Sequence, residues 1–471
     1  MSETVQSRGT LARVLIWSAV AAATAVFYVL AWHGRPVLDD DSASYLRVAA
    51  DLSDLRLEQL YARPVGYPLL LAATGSVPEP GLLLLVVQIL LHVAAVIVLA
   101  ETLRRLGLPP LAVAAFAFAA LLPPFVEPAG FVLSETLTQL LLIAGVVGLV
   151  RFTLDARLAS LVLSACAVAC VGLVHAAYAA VSLPLAVVTT AVARFARVDT
   201  ALLRRALVGG LILVGSAGCL LGAVVVHNQA RFGYAVLSPV LGFTLSHKTV
   251  RFVERLPPEF DDLRPILIRH RDAALVDPEG DHLAYGYIFR AVPDLEAATG
   301  LRGPALSARL VRANLALIRL ASKEYVDEVL RSLVWYGSPG VTAVGGLGSG
   351  LLRAAGRLLR VVVLLSFAGV VVLVAGPCLL LRRGSRAGAP ANALAGNEIF
   401  SKLLLLCVSL GVIGYSAAVN TLLTAAVFRL RVPVDLLILA CIPVGISLFA
   451  DLRSQLQTIE ETVTGTWKSQ A

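Results

Sequence analysis

Apolar runs of about twenty residues recur along this chain from residue 11 to residue 450, and no other feature limits its folding as tightly. A helix rising about 1.5 Å per residue needs about 20 apolar residues to cross a hydrocarbon core ~30 Å thick. Inside that core each backbone N–H and C=O must find its partner within the protein, which leaves helices or closed barrels. Composition agrees, with 58% of the 471 residues hydrophobic and 15% charged, against roughly 45–50% and about 25% in soluble domains. The sequence therefore describes an all-α polytopic membrane protein. A soluble enzyme, a secreted disulfide module and a nucleic-acid partner are excluded. The formal charge of +8 reflects loop composition in such a protein.

Ten transmembrane helices fit the pattern, at 11–32, 82–103, 110–126, 131–150, 158–174, 176–193, 206–226, 358–380, 401–420 and 433–450. The first run is too long for a signal-peptide core and no small-residue cleavage site follows it. A single helix over 158–193 would measure about 54 Å, so two short spans with a turn near His175 fit better. That parity puts Arg104, Arg105, Arg151, Arg157, Arg194, Arg197, Arg204, Arg205, Arg382, Arg383 and Arg386 on one side. The turns at 127–130 and near 175 hold no Lys or Arg, which is the positive-inside pattern with both termini in the cytoplasm.

Four regions follow. An N-terminal membrane module, 1–226, has about seven spans and an amphipathic first extracytoplasmic loop, 33–80. A large helical extracytoplasmic loop covers 227–355, the C-terminal spans lie in 356–450, and a cytoplasmic tail covers 451–471. All six cysteines fall inside spans, with no disulfide framework and no paired-cysteine zinc spacing. The glycine-rich GGLGSG at 345–350 has no strand before it and no Lys-Ser/Thr after it, so it reads as a linker.

The polar chemistry gathers outside the spans. Asp39, Asp40 and Asp41 lie just beyond the first span, in RPVLDDDSASYLRVAADLSDL. Charges are costly at bilayer depth, so the three carboxylates belong at or outside the interface. Tyr45, Leu46, Ala49 and Leu52 then recur at helical spacing, and Asp41 or Ser42 stands where an N-cap would. The bland role is one capping Asp and two solvated ones. Against it, three adjacent like charges need a cation, an Arg or a metal to offset them. Ionised carboxylates there suit a general base or a ligand for a hard cation. Next comes ARPVGYPLLLAATG, residues 62–75, with Arg63 before a Pro-rich turn and an apolar stretch too short to span. Glu127 and Glu135 lie between the third and fourth spans in EPAGFVLSETLTQLL. Glu135 is either a first-turn acid favoured by the helix dipole or a partner of the Asp cluster. His92, within the second span, reads as a packed, hydrogen-bonded histidine. His175 and the pair Arg429 and Arg431 are cations or polar anchors at span ends.

In order, these motifs are D-S-x-x-Y-L-x-x-A after the first span, R-P-x-G-Y-P-L, L-S-E at the fourth span and FRLRVPVD at 428–435. Together with HNQARFGYAVLSPVLGF at 227–243, they resemble the GT-C class of membrane glycosyltransferases, over most of residues 11–450. The branch is similar to the protein O-mannosyltransferase and lipid A aminoarabinose transferase superfamily. The resemblance implies transfer of a sugar from a polyprenyl-phosphate donor to an extracytoplasmic acceptor (glycan, lipid or protein), with inversion. It also implies a multi-pass protein of the bacterial cytoplasmic membrane whose active site faces outward. It makes Asp41 the general base, Asp40 second and Asp39 third. Glu135 assists. Arg63, His175, Arg429 and Arg431 become candidates for the donor phosphate, with Tyr67 and Tyr45 alongside. A divalent metal at Asp40 and Asp41 stays unassigned. Two other classes remain open. A lipid-linked glycan flippase should place ionisable groups at mid-span. A glycan polymerase or ligase should concentrate Arg and His in one large outer loop.

Overall fold

The computed structural model describes residues 2–39, 41–56, 63–196, 198–276, 283–337, 350–386, 397–423 and 428–470. Among them the regular structure is helical, and the one β-bridge, Val37 with Phe131, is isolated. The N-terminal half begins with α1 (Ser2–Ala31), then two short helices, α2 (Ser42–Ser53) and α3 (Gly66–Ala73). It continues through α4 (Leu82–Arg105), α5 (Pro110–Ala120), α6 (Pro123–Val126), α7 (Glu135–Asp155), α8 (Leu158–Val174), α9 (Ser182–Phe195) and α10 (Thr200–Phe232). Five helices then form a separate group: α11 (Leu241–Thr249), α12 (Arg264–Leu275), α13 (Leu283–Thr299), α14 (Gly303–Leu320) and α15 (Ser322–Tyr336). The last three are α16 (Gly350–Arg386), α17 (Asn397–Leu423) and α18 (Val432–Gln470).

Among the described residues, eight helices are long and apolar enough to cross a membrane. The sequence expectation of ten differs at two places. The segment 110–130 is broken, with α5 and the Pro123–Gly130 stretch meeting at 62°. Pro123 and Pro124 cause the break, since they remove two backbone donors in succession. The helix α8 has only 17 residues, about 25 Å, which is short for a span. Packing nevertheless carries both segments through the bundle. The start of α4 touches residues 129 and 131, because Gln88 Nε2 donates to the Ala129 and Phe131 carbonyls at 3.0 and 2.9 Å. Its end meets Arg151 near the end of α7, which donates to Thr102 Oγ1 at 3.1 Å. The helices α4 and α7 are therefore parallel, and the chain between them must return across. Likewise α8 begins beside the end of α7 and finishes at Leu173 and Val174 against Gly66.

The most enclosed spans are α7, α17 and α18, while α1, α10 and α16 present most of their surface outward. Small residues set the tightest approaches, as expected where lipid supplies no hydrophobic drive between helices. A Cβ on Gly145 would lie 2.7 Å from Val168 Cγ2, and one on Gly148 would lie 2.7 Å from the Ser160 carbonyl oxygen. Ser164 Oγ completes the α7–α8 contact by donating to the Gly145 carbonyl at 2.7 Å. In mid-span His92 is buried between Gln139 Oε1 at 3.1 Å and the Ala120 carbonyl at 2.9 Å, a packed histidine as expected. The helices α11 to α15 close on an apolar core of their own, with Phe252, Leu263, Ile288, Leu306 and Leu310 at its centre.

The α7–α8 approach gives a test. Gly148→Val should lower stability by about 1–3 kcal/mol, as overpacking does. Gly215→Val on α10, with open space around its Cβ, should be nearly silent. Thermal unfolding of the purified variants in one detergent compares them.

Candidate active site

Two backbone bonds fasten the chain after α1 to the chain before α7. Val37 N–H donates to the Gly130 carbonyl at 2.7 Å, and Val132 N–H donates to the Val37 carbonyl at 2.9 Å. Ser42 Oγ extends the clasp by donating to the Val132 carbonyl at 2.9 Å, and it accepts from the Asp39 N–H at 2.8 Å. The first turn of α2 is thereby laid directly over the N-terminus of α7.

Asp41 stands at the N-cap position of α2 but makes no side-chain capping bond. Its carboxylate is instead taken by Arg63, which donates to Oδ1. Arg63 also donates through Nε to Ser44 Oγ at 2.8 Å, and its guanidinium lies 4.8 Å above the Tyr45 ring. Both members of the pair keep contact with solvent, at 32% exposure for Asp41 and 20% for Arg63. Beneath them the polar groups are buried. The Tyr45 and Ser134 hydroxyls are 3.2 Å apart, and the Tyr45 and Tyr67 rings meet edge to face at 5.1 Å. Tyr67 donates to Gln88 Oε1 at 2.8 Å. Glu135, in the first turn of α7, is buried beside both tyrosines. Burial raises the Tyr45 phenol, with Arg63 opposing and Glu135 and Asp41 adding to the rise. Tyr67 is pushed well above its usual value, first by burial and then by Glu135. Both phenols therefore stay protonated at neutral pH.

The Pro-rich turn has a geometric reason. A Cβ on Gly66 would fall 2.7 Å from Val174 Cγ2 and 2.9 Å from the Leu173 carbonyl oxygen. Only glycine lets the turn seat on the end of α8, so Arg63 and Tyr67 reach α2 and α4 while His175 is brought to the same end of the bundle. His175 terminates α8 in an extended conformation, and its ring meets Tyr178 edge to face at 5.3 Å.

Arg431 is fully buried. It donates through Nε to Asp435 Oδ1 at 2.7 Å and through Nη1 to the Tyr336 carbonyl at 2.7 Å. It thus ties the end of α15 to the start of α18. Arg429 sits on the adjoining 3-10 turn, Phe428–Arg431. Asp40 lies outside the described residues. Among the described residues no three His, Cys, Asp or Glu side chains gather as a metal site. The carboxylates that would have to hold one include Asp40.

Two features were not anticipated from sequence. His247 on α11 reaches the field of Asp41. Burial lowers it from the usual 6.5 to about 4, with Asp41 opposing and Lys248 reinforcing the fall. Its ring meets Phe289 at 5.7 Å. Lys248 is buried, donates to Ser332 on α15, and is lowered to about 8 by burial against the pull of Glu328. The second feature is Arg360 on α16, buried and donating to the Pro124 carbonyl, in the shared field of Asp435, Arg431 and Glu127. Nothing short of the fold places residues 41 and 247, or 127 and 360, together. The only signal in the sequence was the Ser-His-Lys-Thr stretch interrupting an otherwise apolar run.

No protein-family model and no curated protein matches this sequence. Among solved structures, the chain is similar to the crystal structure of ArnT from Cupriavidus metallidurans bound to undecaprenyl phosphate. The identity is 16% and the TM-score 0.38, covering 90% of this chain and 77% of that one. Likeness at that level assigns no residue a role.

The neutral His247 predicts an acid sensitivity. Its folded-state value lies below the unfolded one, so the unfolded chain binds the proton first as pH falls. The stability tied to the neutral ring is complete above pH 6.5 and is lost as pH falls toward 4. His247→Gln should flatten the decline in unfolding temperature across that window, as thermal unfolding at half-unit pH steps would show.

Proposed function

We propose that this protein is a GT-C-type membrane glycosyltransferase. In this reading it moves a sugar from a polyprenyl-phosphate donor to an acceptor on the extracytoplasmic face, with inversion. The observation that carries it is the Asp41 carboxylate. It is released from helix capping, held by Arg63 over Tyr45, open to solvent, and placed above buried Glu135 at one end of an apolar bundle. The sequence motifs that resemble the GT-C class are the ones that converge here: D-S-x-x-Y, R-P-x-G-Y-P and L-S-E.

In the reaction the acceptor hydroxyl oxygen attacks the anomeric carbon. The bond from that carbon to the phosphate oxygen breaks, and the polyprenyl phosphate leaves as an anion. Asp41 takes the hydroxyl proton, with Asp40 and Asp39 beside it in the sequence. A base within reach of the attacking hydroxyl contributes typically 10²–10⁴-fold. Arg63 pairs with Asp41 before substrate arrives and turns to the phosphate as charge develops there, the role for which a planar guanidinium is suited. His175, at the same end, is the second cation for the phosphate, and Arg429 a third. Glu135 orients the acceptor through Tyr45 and Tyr67. Arg431, bonded to Asp435 and to the Tyr336 carbonyl, holds the outer loop in place. In this reading, module 1–226 carries the catalytic loop 33–80, loop 227–355 serves as a cover, 356–450 holds the C-terminal spans and 451–471 is a cytoplasmic tail.

A flippase is favoured by no observation. Among the described residues, buried Lys402 pairs with Glu398 and Asp451 at 2.9 and 2.7 Å at one end of the bundle, and buried Arg431 pairs with Asp435 at the other.

Transfer in proteoliposomes, with a panel of polyprenyl-phosphate sugars, tests the reading. Asp41→Asn at matched expression should lose 10²–10⁴ in turnover and retain donor binding. Unchanged turnover would remove Asp41 from the chemistry. Arg63→Gln should reduce transfer at least tenfold and leave the unfolding temperature within a degree or so, because a partly exposed pair contributes only about 0–1 kcal/mol. Arg63→Lys should not restore activity, since an ammonium cannot bridge Asp41 and Ser44 while stacked on Tyr45.

A further inference from the structure

The helix α15 has a face that the protein itself leaves uncovered. Val326, Leu330, Leu333 and Val334 are 52%, 55%, 49% and 72% exposed. Their spacing of four, seven and eight residues from the first puts them on one stripe of a helix. A second stripe, Asp327 and Arg331, is exposed and charged, and a third, Glu328, Ser332 and Tyr336, is buried. Such a three-sided pattern is not that of a helix lying free on a soluble surface, where apolar groups stand singly.

Both ends of α15 are fixed to span ends. In its first turn the Tyr325 hydroxyl donates to the Leu422 carbonyl at 2.9 Å, at the last turn of α17. Its last residue accepts from Arg431 at 2.7 Å, at the entry to α18. Fifteen residues measure about 22 Å, so the helix lies across the site-bearing end of the bundle at the depth where α17 stops. There the apolar stripe continues the outward surface of a span. Leu422 and Leu423, at the end of α17, are 42% and 38% exposed, beside the point where Tyr325 meets that span. Tyr325 and Trp335 stand at the two ends of α15, as aromatic residues do at the headgroup level.

We propose that α15 is a membrane-interface helix whose Val326–Leu330–Leu333–Val334 stripe is buried in the headgroup–acyl boundary of the leaflet at the Asp41 end. Helices of this kind bind by buried apolar area, supplemented by basic charge where the lipid is anionic. Here Lys323 and Arg331 are outnumbered by Glu324, Asp327 and Glu328, so the attachment is apolar and indifferent to headgroup charge. The buried side of the same helix grips α11 through Lys248 with Ser332, and the 3-10 stretch that follows α11, Val250–Arg255, through Glu328 with Arg251 at 3.4 Å. The helix α11 carries His247 into the field of Asp41. The bilayer surface is thus the floor on which the outer helices stand over the site.

The unsubstituted protein in proteoliposomes containing a phospholipid with a diazirine in its acyl chain gives the first test. Photolysis should place adducts on the peptide spanning 326–334, and on Leu422 and Leu423 as the internal control. Adducts on the control alone would overturn the proposal. Nitroxide labels on a background without the native cysteines give the second, one each at 326, 327, 330, 331, 333 and 334. Positions 326, 330, 333 and 334 should be more accessible to oxygen than to a water-soluble nickel chelate, and 327 and 331 the reverse. Nickel access at all six would show a solvated helix, and exclusion of both reagents from the apolar positions would show a protein partner or a second copy. Either result overturns the lipid assignment. Both readouts should be the same in neutral and in anionic vesicles.

Discussion

The arrangement of polar groups at one end of this bundle hangs on the clasp between residues 37–42 and 130–132. The bonds from Val37 to Gly130 and Val132, and from Ser42 to Val132, fix the start of α2 above α7. The clasp is made chiefly of backbone groups. These groups are obliged to pair once buried, and their geometry is indifferent to the side chains nearby. That leaves Asp41, Ser44 and Tyr45 free to engage Arg63, Ser134 and Tyr67. The consequence is a division of labour: main chain sets position, and side chains set charge. A second support comes from below, where Gln88 bonds to the carbonyls of 129 and 131 and receives the Tyr67 hydroxyl. One buried amide thus ties α4, α3 and the chain before α7 together.

The bundle under the site follows membrane rules. Apolar length makes the helices, and the absence of a hydrophobic drive between them leaves packing to small residues. This is why α7, with Gly145 and Gly148, is so enclosed. It also explains how a 17-residue helix can serve in such a bundle. The helix α8 is held along its length by α7 and α10, and ends against Gly66 rather than against lipid.

Much of this was legible in the sequence, and the parts that were not share a cause. The spans were legible because twenty apolar residues in a row have few other uses. Asp41 and Glu135 were legible as carboxylates near span ends, and Arg63 and Tyr67 through the R-P-x-G-Y-P-L motif at the Pro-rich turn; the structure brings the four side by side. The break at Pro123 and Pro124 was written in the sequence and was read through as a continuous span, since periodicity alone does not weigh lost backbone bonds. His247, Lys248 and Arg360 could not be read. Their environments are made by helices remote in the chain, and a lone basic residue in an amphipathic stretch looks the same whether it is bathed in water or buried against Ser332 or Pro124. The apolar stripe of α15 was seen only as amphipathicity. Which half of a helix meets protein and which meets something else is decided by the neighbours, and the sequence of one helix does not contain them.

The helix α10 has 33 residues, about 50 Å, whereas the hydrocarbon core needs about 30 Å. It starts near the Arg-rich end, where Arg205 bonds the Leu154 carbonyl at 2.8 Å, and at Leu221 it is already level with Gly172 at the far end of α8. Some ten residues then continue as a stiff rod toward the outer helices. A rod that runs unbroken from one face of a membrane into the domain above the other behaves as a strut. Any change in bilayer thickness, met by tilting the rod, would swing its upper end sideways, and a thinner or thicker membrane would become a difference in how the cover sits over Asp41.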